Sequence, residues 1–169
     1  MKKINLAIQK SGRLNKESIS LLEKAGIKFD NFKDQLKVDC QNFPLNIYFL
    51  RNSDIPRYLS DGVVDIAIIG QNLIQESELN IDEIMNLNFS RCRVSIAIPL
   101  NMKYSGLKDL NNLKIATSYP NTLKKFLSNN NLNCEIHKIN GSVEISPNIG
   151  LSDAVCDIVS TGNTLYKNN

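Results

Sequence analysis

The chain has 169 residues, 42% of them hydrophobic and 22% charged, which is material for one ordinary domain or two small lobes with modest cores. A net charge of +3 with no Lys/Arg cluster excludes a nucleic-acid-binding stripe and leaves room for local cationic sites that take small anions. No stretch approaches the roughly 20 apolar residues that span a bilayer, and the short apolar run after Met1-Lys2-Lys3 ends at Gln9 and Lys10. The reading is therefore a cytoplasmic protein with no membrane partner. Cys40, Cys92, Cys134 and Cys156 form no C-x-x-C pair, and each lies in or beside an apolar run. They are expected to be small buried hydrophobes in a reducing compartment.

Lys3 to Ile8 reads as a buried strand, and Gln9 to Leu14 as a polar loop. Asn15 is placed to cap a helix that carries Ile19, Leu22 and Ala25 on one face and stops at Gly26. Leu45 to Leu50 is a second strand. Ser53 is expected to cap the next helix, with Ile55, Tyr58 and Leu59 buried and Gly62 at its end. Val63 to Ile69 is almost continuously apolar, as a central parallel strand covered on both faces would be, and a short helix follows from about Gln71. Asp65, which interrupts that run, suits a polar strand-end residue that caps a helix as well as a site role. Ser77 to Asn88 is more polar and suits a crossing between lobes. Strands are then expected over Val94–Ile98, Leu113–Ala116, Cys134–Ile139 and Val155–Val159, with a helix start marked by Ser118 and Pro120. The alternation predicts an α/β fold in two lobes, 1–88 and 89–169. His137, the lone histidine, falls in an alternating strand and reads as structural.

The densest chemistry lies in Asp157-Ile158-Val159-Ser160-Thr161-Gly162-Asn163-Thr164-Leu165. A strand runs into a tight turn with hydroxyls on both sides of a glycine, and a helix begins there. Unpaired amides at such a start, with the Thr161 and Thr164 hydroxyls, can cradle a phosphate, and Gly162 lets the backbone close on it. Asp157 at the strand end can accept hydrogen bonds from sugar hydroxyls. The same five residues, Ser160 to Thr164, fit a capped helix start with no ligand equally well.

The wider segment Gly141-Ser142-Val143-Glu144-Ile145-Ser146-Pro147, continued by 150–165, resembles the signature of the ATP phosphoribosyltransferase family. Gln9-Lys10-Ser11-Gly12-Arg13-Leu14, 61–72, Cys92-Arg93-Val94-Ser95 and Ala116-Thr117-Ser118-Tyr119-Pro120 resemble the same family in the same order. The resemblance implies two lobes like those of type II periplasmic binding proteins, with an active site in the cleft. It implies that Ser160, Thr161, Gly162, Asn163 and Thr164 hold the 5-phosphate, and that Glu144 and Asp157 hold the ribose hydroxyls. Lys10 and Arg13, with Ser11 and Gly12, would lie near the polyphosphates, and Arg51 near the nucleotide. The implied substrates are ATP and phosphoribosyl pyrophosphate. The implied cofactor is Mg²⁺, carried by substrate oxygens and by Glu144 or Asp157, with no metal ligand set of the protein's own.

By the same resemblance, members of the family continue past the position of Asn169 and return to complete the first lobe. The longer class adds a histidine-binding regulatory domain, and the Gln9–Leu14 loop looks closer to that class. The expectation is an incomplete first lobe with little activity alone, and a homo-oligomer with histidine as feedback inhibitor in the intact enzyme. A type I phosphoribosyltransferase would place two adjacent acids before its loop, where Cys156 precedes Asp157 here. A non-catalytic anion-binding module of the same bilobal fold is the alternative from another class.

Overall fold

A computed structural model describes residues 2–30 and 34–168; Met1, residues 31–33 and Asn169, which the expected lobes include, lie outside the described residues. The chain divides into two compact units, 1–90 and 91–169. In the first, β1 (Ile4–Gln9), β2 (Lys37–Asp39), β3 (Leu45–Leu50) and β4 (Ile66–Ile68) form a sheet in the order β2-β3-β1-β4. β1 pairs in parallel with β3 and β4, and β2 is antiparallel to β3. Helices α1 (Arg13–Lys24), α2 (Ile55–Ser60) and α3 (Gln71–Ser77) complete the unit. One face of the sheet packs Leu6, Ile8, Ile47 and Phe49 with Leu22 of α1, and Ala7 on the other face packs Ile55 of α2 and Val64.

Several expectations are corrected here. The central strand is β1. The Val63–Ile69 run yields only three paired residues at the sheet edge, with Val63 and Ile66 exposed. Continuous apolarity had suggested cover on both faces. β2 was not foreseen, because three residues are too few to show a period. α1 begins at Arg13, inside the expected loop, and its cap is Gly12, at φ +90°. Asn15 lies within the helix, and its amide donates back to the Gln9 carbonyl at 2.7 Å. Ala25 is exposed at the helix end. Asp54 rather than Ser53 precedes α2, and Tyr58 points to solvent.

In the second unit, β5 (Arg93–Ala97), β6 (Lys114–Thr117), β7 (Glu135–Lys138) and β8 (Ala154–Val159) lie in the order β5-β8-β6-β7. β6 is parallel to β7 and β8, and β5 runs antiparallel to β8. α4 (Pro120–Asn129) buries Leu123 and Leu127 against Ile115, Ala154 and Cys156 on one face. Val143 and Leu165 cover Ala116 and Val155 on the other. Pro120 opens α4 as expected, while the Ser118 hydroxyl donates to the Ile139 carbonyl. Cys40 and Cys156 are buried and Cys134 is half-buried, but Cys92 is exposed, against expectation. Burial pushes the Cys40 and Cys134 thiols up from their ordinary value.

Both sheets use one device to set parallel register. The Asp65 N–H donates to the Asn5 carbonyl at 2.8 Å, and the Asp65 carboxylate accepts the Asn5 N–H at 2.7 Å. Asp153 makes the same two bonds with Lys114, each at 2.8 Å. In each case an aspartate just ahead of a strand satisfies both backbone groups of its neighbour. Asp65 is thus a strand clamp: its carboxylate bonds a neighbouring strand rather than the helix end that the sequence reading offered. Loss of a charged acceptor leaves an amide without its partner, so Asp65→Ala and Asp153→Ala are each expected to cost about 1–3 kcal/mol in urea denaturation. A change below about 0.5 kcal/mol, the range of ordinary surface substitutions, would contradict the clamp.

Candidate functional site

The carboxyl ends of β1 and β3 deliver the first group of candidate residues. Lys10, Ser11, Gly12 and Arg13 follow β1, Arg51 follows β3, and all five are exposed. The Lys10 N–H donates to the Leu50 carbonyl at 2.7 Å, so the loop after β1 is tied to the end of β3. Parallel strands that end together present their loops on one side, where α/β sheets gather ligand groups. A Cβ added at Gly12 would stand 3.3 Å from the Gln9 amide nitrogen, and the backbone there already has positive φ. Glycine is therefore required at that turn on conformational grounds alone.

The second group is built on β8. Along this strand Val155, Asp157 and Val159 share one face, and Ala154, Cys156 and Ile158 share the other. Val155 packs against Val143 and Leu165, which places Asp157 on the side of the short 3-10 turn Val143–Ile145 and of α5 (Asn163–Lys167). Val143, 1% exposed, anchors that turn and holds Glu144 half-buried beside it. Further along the same connection, the Ser118 hydroxyl accepts the Gly141 N–H at 3.4 Å. Thr117 is fully buried; its hydroxyl donates to the Cys156 carbonyl at 2.7 Å and accepts the Tyr119 N–H at 2.9 Å. β6, α4 and β8 are thereby fixed together one residue before Asp157.

Ser160, Thr161, Asn163 and Thr164 are exposed around Gly162, which has φ +81° and open space where a Cβ would stand. The Thr161 hydroxyl accepts the Asn163 N–H at 3.4 Å. α5 begins directly after Gly162, as the strand-turn-helix order read from the sequence expects. Attraction for an anion here rests on the turn's amides and hydroxyls.

Asp157 is half-buried, and its pKa is raised, first by loss of solvation and then by the neighbouring Glu144 carboxylate; a bond from the Ile158 N–H at 2.8 Å works in the opposite direction. No cation is among the groups acting on it. The Glu144 carboxylate thus lies near enough to act on Asp157, as the smallest of these influences. Among the described residues no group of three or more His, Cys, Asp or Glu could hold a metal ion by itself.

A separate cavity of about 390 Å³ lies against α4, lined by Val94, Ile96, Tyr104, Leu107, Phe126 and Cys156 among others. Cys156 alternates with Asp157, so this apolar space is on the opposite face of β8, and none of the candidate site residues lines it. His137 sits in β7 opposite Ala116 and away from both carboxylate positions in register. No described helix is long and apolar enough to cross a membrane.

A family model for ATP phosphoribosyltransferase matches residues 51–169. The chain is 52% identical over 165 residues to the ATP phosphoribosyltransferase of Cytophaga hutchinsonii and 47% identical to that of Bacteroides thetaiotaomicron. Each match covers 98% of this chain and 58% of the relative, so the chain spans little more than half the length of these relatives. Among solved structures it is similar to the ATP phosphoribosyl transferase (HisG:HisZ) complex from Thermotoga maritima, with a TM-score of 0.81, 30% identity, and coverage of 98% of this chain and 79% of that one. The substrate-binding protein of an amino acid ABC transporter matches at a TM-score of 0.55 and 12% identity, over 97% of this chain and 73% of that one; this is a likeness of fold alone. The expected two-lobed α/β fold of the binding-protein type is borne out.

The raised pKa of Asp157 has a consequence for stability. A carboxyl whose pKa rises on folding favours the folded state fully below its unfolded pKa, and that contribution is lost as pH rises through the folded pKa. Ionised Asp157 therefore opposes folding at neutral pH. Asp157→Asn is expected to raise the thermal midpoint at neutral pH, with the gain vanishing below about pH 4. A midpoint that is unchanged or lower at neutral pH would contradict this.

Proposed function

This chain belongs to the ATP phosphoribosyltransferase family, and from that premise we propose that it condenses ATP with phosphoribosyl pyrophosphate to N1-(5-phosphoribosyl)-ATP and pyrophosphate, the first step of histidine biosynthesis. The observation that carries the reading is the Glu144–Asp157 pair on the face of β8 that runs into the Ser160–Thr164 turn. In this reading the second lobe, 89–169, takes the phosphoribosyl half. Amides and hydroxyls of Ser160, Thr161, Asn163 and Thr164 hold the 5-phosphate around Gly162, while Glu144 and Asp157 accept hydrogen bonds from the ribose hydroxyls. The first lobe, 1–88, takes the other half: Lys10, Ser11, Gly12 and Arg13 bind polyphosphate and Arg51 lies at the nucleotide.

The reaction asks for alignment and charge compensation rather than a covalent nucleophile. Adenine N1 attacks the anomeric carbon as the bond to pyrophosphate breaks, and positive charge develops on the ribose. Two carboxylates beside that ring oppose the developing charge, and their partial burial strengthens the effect. Substrate binding displaces water from Asp157, but the hydroxyls it accepts replace the lost solvation. A pair of close carboxylates with no cation of the protein acting on Asp157 fits Mg²⁺ held jointly by Glu144, Asp157 and substrate oxygens. When bound, the ion supplies neutralisation of the departing pyrophosphate. We further infer a cytoplasmic setting and an oligomeric state, the latter because the Thermotoga maritima relative is described as a complex. Histidine acts as feedback inhibitor where a regulatory domain accompanies these lobes.

Two outcomes test the reading. Pyrophosphate release from ATP plus phosphoribosyl pyrophosphate distinguishes the enzyme from a binding module, and Asp157→Asn should lower kcat/KM about ten- to hundredfold through loss of a charge-assisted bond. An Asn variant with the parent's kinetics would remove the ribose role. Gly162→Val forces a β-branched residue to positive φ and closes the turn. It should abolish binding of phosphoribosyl pyrophosphate in titration calorimetry while the core of the second unit stays folded by circular dichroism. Retained affinity would contradict the cradle.

A further inference from the structure

The turn proposed to hold the 5-phosphate contains no cation of its own: Ser160 to Thr164 offer only hydroxyls, an amide side chain and backbone N–H groups. A phosphate monoester carries nearly two negative charges at neutral pH, so a turn of neutral donors leaves most of that charge uncompensated. The adjacent carboxylates make the local field still less favourable. A cation beside the turn would add the compensation that its neutral donors lack, and the register of the second sheet points to one residue.

β5 is antiparallel to β8, with Arg93 directly opposite Val159, Ser95 opposite Asp157 and Ala97 opposite Val155. Residues opposite one another in adjacent strands project from the same face of the sheet. Ala97 and Val155 pack together with Val143 and Leu165, so the face that carries Arg93 is the one that carries Asp157. Cα atoms of directly opposed residues stand about 4.5–5.5 Å apart. Arg93 is therefore anchored beside Val159, one residue before the turn begins. It is exposed, and among the described residues it makes no ion pair. It is not among the groups acting on Asp157, although Asp157 lies diagonally across the strand pair. The other cations in the strands of this sheet are less well placed. Lys114 pairs with Glu135 at the opposite end of the parallel strands, and Lys138 ends β7, two strands from β8.

We propose that Arg93 is a substrate-binding residue whose guanidinium closes over the 5-phosphate held by the Ser160–Thr164 turn, an assignment that rests on the phosphoribosyl reading above. A planar guanidinium gives two parallel N–H bonds to a phosphate. It thereby supplies charge and orientation that the neutral turn lacks. The arrangement also separates the ends of the substrate: the phosphate lies toward Arg93 and the ribose toward Asp157 and Glu144.

The test measures binding of ribose 5-phosphate and, separately, inorganic pyrophosphate to the whole chain by calorimetry, in the parent, Arg93→Gln, Arg93→Lys and Gly162→Val. Arg93→Gln should weaken ribose 5-phosphate about ten- to hundredfold and leave pyrophosphate unchanged. Arg93→Lys should fall between, because an ammonium keeps the charge without the fork. Matching thermal midpoints separate lost contact from lost fold, and if the Gln variant unfolds, the Lys variant decides: weakened ribose 5-phosphate with unchanged pyrophosphate supports the proposal, and parent-like affinity for both overturns it. Ribose 5-phosphate affinity unchanged in Arg93→Gln but lost in Gly162→Val would overturn the role of Arg93 and leave the cradle standing. Equal weakening of both probes would also overturn the assignment to the 5-phosphate. No binding of ribose 5-phosphate to the parent would remove the phosphoribosyl reading itself, and this inference with it.

Discussion

The clamp made by an aspartate ahead of a parallel strand is the constraint on which the rest depends. A parallel pair has no tight turn to fix its register, and a slip of one residue would exchange the two faces of the strand. Asp153 removes that freedom by taking both backbone groups of Lys114. With β8 held there, counting along the strand puts Cys156 into the core against α4 and turns Asp157 toward Val143 and Leu165. The turn at Ser160 then opens on the same side as Glu144. Asp65 does for β4 and β1 what Asp153 does for β8 and β6. Each unit thus sets the register of its parallel strands through an aspartate just ahead of a strand.

The site stands at some cost to the chain that carries it. Two carboxylates share a face, one of them half-buried and with its pKa raised, and among the described residues no cation is among the groups acting on it. Selection for stability alone would replace Asp157 with a neutral residue. Its presence makes sense if the missing positive charge arrives with the ligand, as a cationic ribose in the transition state and as a metal ion on the leaving group. Perturbed carboxyls of this kind gather at functional positions because the function supplies the compensation.

Much of this was legible in the sequence where local chemistry decides the outcome. β3 matches its expected bounds, α3 starts at the expected Gln71, and the strand-turn-helix order around Gly162 is as read. The misreadings share a cause. Apolar content suggested a central strand over Val63–Ile69, but position in a sheet depends on partners far along the chain, and β1 took the centre. Asn15 and Ser53 have capping chemistry, yet neighbouring residues hold the caps because the preceding strands fix where each helix can begin. The opposite faces of β8, one toward the carboxylates and one toward the apolar cavity, follow from alternation. Which face belongs to which partner needed the packing of Val143 and Leu123. In the sequence Arg93 is only one residue of a family-like segment; its place beside the turn follows from the antiparallel pairing of β5 with β8.

The most direct check of the whole account is an amide chemical-shift map of the chain titrated with phosphoribosyl pyrophosphate and Mg²⁺. The account predicts the largest changes at Ser160 to Thr164, with further changes at Glu144 and Asp157, and none at Leu107, Leu110 and Phe126 around the apolar cavity. Changes centred on the cavity, with the Ser160–Thr164 turn silent, would contradict it.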